Sequence, residues 1–80
     1  MSSMAMKEVV EYMAKALVDS PDSVRVDEVV GAHSIVLELH VAPDDVGRVI
    51  GKGGRVANAM RNLLRVAALR DGKRITLEIV

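Results

Sequence analysis

Apolar residues recur along this chain at two different periods, and the switches between them mark its elements. From Met6 to Val18, the residues Met6, Val9, Val10, Met13 and Leu17 fall at steps of three and four, with Lys7, Glu8, Glu11 and Lys15 between them. That spacing predicts an amphipathic helix. Ser20-Pro21 ends it, because the residue before a proline is driven out of the α region. Val24 to Val30 is valine-rich and partly alternating, which predicts a strand, and Gly31-Ala32-His33-Ser34 has hairpin length. Ile35 to Val41 is the clearest strand: Ile35, Leu37, Leu39 and Val41 share one face, and Val36, Glu38 and His40 share the other.

Pro43 closes that strand, and Asp44 and Asp45 suit the first turn of a short helix running to about Ile50, where carboxylates complement the helix dipole. A glycine-rich loop follows. From Arg55 to Leu69 the period is helical again, with Val56, Ala57, Met60, Leu63, Leu64, Ala67 and Ala68 forming the apolar stripe. Arg61 and Arg65 fall off that stripe and are expected on a solvated helix face, with the alternative that they track a longer bound strand. Asp71-Gly72 is a helix stop, and Lys73 to Val80 alternates as a last strand. The order is α-β-β-α-α-β. It predicts an α+β fold, a three-stranded sheet covered on one face by helices. Residues 1–5 are expected to be a disordered tail and residues 6–80 a single domain.

Composition narrows the function. Half of the 80 residues are hydrophobic, as in a globular chain. The lack of cysteine excludes disulfides and thiolate metal sites, and fits a reducing cytoplasm. His33 and His40 have no acidic or cysteine partner at metal spacing, so neither a metal nor any other cofactor is expected. No apolar run approaches membrane-spanning length, and Met1–Met6 lacks the regions of a signal peptide. Net charge is zero, but the charges are segregated. Residues 1–45 carry three basic side chains against nine acidic ones; residues 46–80 carry eight basic against two acidic. The chain therefore has a positive end that its average conceals.

The glycine loop lies in that positive half. Gly47-Arg48-Val49-Ile50-Gly51-Lys52-Gly53-Gly54 runs into the start of a helix. Glycine allows positive φ and close approach of a ligand backbone. The helix start adds unpaired N–H groups and a partial positive charge, and Lys52 adds a full one. The matching ligand is phosphate. A mononucleotide P-loop is excluded, because no Ser or Thr follows Lys52 to hold magnesium. A dinucleotide loop is excluded too, since Val56 stands where its last glycine or alanine belongs. No nucleophile–base pair suggests an enzyme.

Val49-Ile50-Gly51-Lys52-Gly53-Gly54 matches the Val-Ile-Gly-x-x-Gly signature of the KH domain, a module for RNA and single-stranded DNA. The element order resembles its type II form, and at this length the chain is most similar to the KhpA family of small bacterial RNA-binding proteins. Pro43, Asp45, Gly47, Arg48 and Arg55 extend the match. The resemblance implies that Gly51 and Gly54 are the fixed glycines and that Lys52 and Gly53 face phosphate. It implies an apolar wall from Ile50 and the first turn of the next helix, Arg55 and Val56, with Arg48 and Arg55 adding charge. Backbone amides at Gly51–Gly54 are then expected to grip single-stranded RNA. The family further implies an RNA-chaperone or post-transcriptional role, a link to cell envelope and cell shape, and pairing with a larger KH protein of the KhpB (Jag) type. Tyr12 is the sole aromatic residue, so bases have to rest on aliphatic side chains. A second expectation, from a different class, is a protein-interaction module that forms homodimers or docks a partner, with RNA secondary.

Overall fold

A computed structural model of the chain describes residues 3–80. Its elements are α1 (Ser3–Leu17), β1 (Arg25–Val30), β2 (Ser34–His40), α2 (Val46–Ile50), α3 (Arg55–Asp71) and β3 (Arg74–Ile79), with single 3-10 turns at Pro21–Ser23, Pro43–Asp45 and Lys52–Gly54. The expected order is the observed one. Helix α1 begins at Ser3, so the last three positions of the expected tail are helical; Met1 and Ser2 lie outside the described residues.

The sheet has the order β1-β2-β3. β1 and β2 form an antiparallel hairpin with Val26 opposite Leu39 and Val30 opposite Ile35. Its turn closes where the Gly31 N–H donates to the Ser34 carbonyl at 2.7 Å. β3 runs parallel to β2, with Ile35 beside Ile75 and Leu37 beside Leu77. Parallel neighbours need a crossover, and α2, the glycine loop and α3 supply it. The loop is therefore held between two helices that are themselves tied to the sheet.

One core lies between the helices and the inner sheet face. Met6, Val10 and Ala14 enter it from α1, Val49 from α2, and Met60 and Leu64 from α3. They meet Val26, Ile35, Leu37, Leu39 and Leu77. Burying a leucine or valine of this kind contributes ~1.5–3 kcal/mol, so the alternation in β2 alone is a major source of stability. On the other face of β2, Val36, Glu38 and His40 are half-buried.

Candidate nucleic-acid interface

The glycine loop is fixed from below by a carboxylate. Asp45 is only 2% exposed. Its Oδ1 accepts the Asp19 N–H and its Oδ2 the Ser20 N–H, both at 3.1 Å. Asp45 stands with Asp44 in the first turn, as expected, and its carboxylate also ties the chain after α1 to the start of α2. Arg48, one turn on, places Nε 3.4 Å from Asp45 Oδ1 and Nη2 2.9 Å from Asp19 Oδ2. Its guanidinium, expected to add charge for the ligand, is committed to these two carboxylates.

The loop itself departs from four free amides. The Gly51 N–H donates to the Gly47 carbonyl at 2.9 Å, and the Gly54 N–H to the Gly51 carbonyl at 3.1 Å. These two groups hold the loop in shape. The Lys52 and Gly53 N–H groups have no protein acceptor among the described residues. Both residues are exposed. Gly51 is required sterically: a Cβ there would lie 2.5 Å from Val56 Cγ2 and 2.9 Å from the Val56 nitrogen. At Gly53 the surroundings are open, and only the backbone, at φ +64°, asks for glycine. The variable pair is thus the accessible one, and Gly51 serves the packing of α3 under the loop. Ile50 is exposed beside it, while Val56 is half-buried against the core.

A groove between α3 and the free edge of β3 is the part that sequence reading missed. Gly54, Asn58, Arg61 and Arg65 recur at steps of four, three and four, which puts them on one face of α3. At ~1.5 Å per residue this stripe runs ~16 Å from the loop. It opens into a groove of about 510 Å³ rimmed by Arg61, Arg65, Lys73 and Arg74, with Ile75 and Leu77 among its apolar lining. Arg61 and Arg65 are exposed, as expected of a solvated helix face, and they also form a wall of this groove. Arg61 Nε and Nη2 both donate to the Leu77 carbonyl at 3.4 Å, covering an edge group that β2 leaves unpaired. Apart from Asp71, whose side chain lies outside those described, no carboxylate among the described side chains stands within ion-pair distance of Lys52, Arg55, Arg65, Lys73 or Arg74. A cationic rim over an aliphatic floor, reached from a loop with two open N–H groups, suits a strand of phosphates and bases. The signal for it lay in the Gly54-Asn58-Arg61-Arg65 stripe and in Lys73-Arg74 beyond the helix stop.

A glycine loop joining two helices, on an α-β-β-α-α-β chain with a mixed three-stranded sheet, defines a KH domain of type II. The family model described as KhpA/KhpB, KH domain, matches residues 7–79, and the chain belongs to that family. It is 53% identical to the RNA-binding protein KhpA of Clostridium acetobutylicum over 75 residues, 94% of this chain and 100% of the relative. It is 55% identical to the RNA-binding protein KhpA of Caldanaerobacter subterraneus subsp. tengcongensis, with the same coverage. The RNA-binding protein KhpA of Aquifex aeolicus is 49% identical over 76 residues, covering 95% of this chain and 96% of that one. These relatives are named for binding and not for a reaction, in line with a non-enzymatic protein. No solved structure matches the chain.

Proposed function

We propose that the chain binds single-stranded RNA, with the backbone at the Lys52 and Gly53 N–H groups and the bases over the groove between α3 and β3. The observation that carries this reading is the pair of accessible loop amides that have no protein acceptor among the described residues, beside the cations of the groove. KH loops clamp about four nucleotides, and a footprint that short gives modest affinity. The related proteins named RNA-binding protein KhpA support the ligand. An RNA-chaperone or post-transcriptional role in the cytoplasm, with a link to cell envelope and cell shape, follows from family resemblance. Among the described residues no helix is long and apolar enough to cross a membrane.

A second reading is favoured by one surface. Tyr12 (77% exposed), Leu63 and Val66 form an uncovered apolar face across α1 and α3, with grooves between the helices. Apolar area of this kind suits a protein partner: a second copy, or a KH protein of the KhpB type. Pairing would set two short RNA sites side by side and raise affinity through effective concentration.

Fluorescence anisotropy with a labelled single-stranded RNA tests the first reading. The double variant Lys52→Asp/Gly53→Asp sets two carboxylates against phosphate in an exposed loop. It should lose binding while staying folded, its melting temperature lowered only by the ~1–2 kcal/mol that a Cβ costs at the positive φ of Gly53. Undiminished binding would remove the loop from the interface.

A further inference from the structure

The outer face of the sheet holds a cluster that the RNA reading does not use. The register sets Asp27 of β1 directly opposite Glu38 of β2, and His40 lies two residues further along β2 on the same face. One ligand atom from each of the three lies within 4.8 Å of the other two. Neither histidine had an acidic partner at metal spacing along the sequence. The antiparallel pairing supplies two for His40, which corrects that expectation.

Two further observations point to a cation here. First, Glu38 also stands opposite Glu78 of β3, so three carboxylate positions form one row across all three strands. Like charges directly opposite each other destabilise a sheet, and a cation among them reverses that effect. Second, His40 Nε2 is sealed from solvent and has no hydrogen-bond partner among the described residues. Asp27 Oδ2 is 3.1 Å away, within range for charge contact but off the line of a hydrogen bond. The competing cation is Arg25, whose Nε lies 3.3 Å from the same oxygen; it is 66% exposed and able to swing into water.

We propose that Asp27, Glu38 and His40 form a site for a borderline divalent ion, zinc foremost. One imidazole nitrogen and two carboxylates match zinc's mixed nitrogen and oxygen donors, and three protein ligands leave a position for water. Magnesium, which prefers oxygen alone and dehydrates reluctantly, fits this set poorly. The site bridges β1 and β2 on the face away from the helices, so the ion staples the hairpin and leaves the glycine loop free. For a domain of 80 residues such a staple is a useful source of stability.

Calorimetric titration of the chelator-treated chain with zinc chloride tests this without RNA. One saturable site is expected, lost in Glu38→Gln and in His40→Gln and retained in His33→Gln. Zinc should raise the melting temperature of the parent but not of His40→Gln, and magnesium chloride should raise neither. Because a variant can fail to fold, amide spectra of the parent provide an independent reading, with zinc shifting Asp27, Glu38 and His40. The proposal is overturned if saturable binding is absent, if it survives in His40→Gln, or if it vanishes instead in His33→Gln.

Discussion

Asp45 accepts the backbone N–H of Ser20 at 3.1 Å, across 25 positions of sequence, with a carboxylate almost wholly shut off from water. The same carboxylate holds the Asp19 N–H and Arg48. It links the segment after α1 to the turn that launches α2, and so sets where the glycine loop stands. Replacing Asp45 with alanine leaves two amide donors without acceptors and a guanidinium with one carboxylate fewer. Hydrogen bonds to charged groups contribute ~1.5–3 kcal/mol each, so Asp45→Ala should cost about 2–4 kcal/mol in urea unfolding. A loss under about 0.5 kcal/mol, the range of ordinary surface changes, would remove Asp45 from this role.

The glycines of the loop should separate by mechanism. Gly51→Ala meets both a positive φ and the Val56 side chain and backbone, whereas Gly53→Ala meets only the positive φ. Left-handed backbone costs ~1–2 kcal/mol for a residue with a Cβ, and overpacking adds ~1–3 kcal/mol. Gly51→Ala should therefore melt well below Gly53→Ala. At ~4–8 °C per kcal/mol for a domain of this size, the difference is readable by thermal denaturation. Equal melting temperatures would contradict the packing of Val56 under the loop.

The groove makes a prediction about salt. If Arg65 and Lys73 face phosphates, each change to glutamine should weaken binding across RNA sequences and reduce the slope of log K against log salt by ~0.7. Both side chains are exposed and unpaired among the described residues, so folding stability should move little. Anisotropy at several salt concentrations separates this from a site confined to the loop, for which the slope stays unchanged.

The apolar helical face should behave independently of RNA. Leu63 is exposed, so Leu63→Glu should leave the monomer folded. If the face carries self-association, sedimentation should show lighter particles for the variant than for the parent at the same concentration. Identical sedimentation would assign the exposed leucine to an ordinary monomer surface.

The legible parts of this molecule were those encoded by local period. Ile35, Leu37 and Leu39 alternate in sequence and are buried together, and Met60 and Leu64 recur at helical spacing and meet them. The loop was legible because three glycines and a lysine stand close together in the chain. What period cannot show is which element a given face will meet. Asp45 lies 26 positions from Asp19, Arg61 lies 16 from Leu77, and His40 finds Asp27 only through the hairpin register. The use of Gly51 and Gly54 amides for the loop's own hydrogen bonds was equally hidden, since composition describes donors and not their partners.

The most direct measurement is the amide spectrum of the ¹⁵N-labelled protein during titration with a single-stranded RNA tetramer. The expected result is the largest shifts at Lys52 and Gly53, smaller ones along Asn58, Arg61 and Arg65, and little change on the outer sheet face. Saturation of RNA binding with Lys52 and Gly53 unmoved would contradict it.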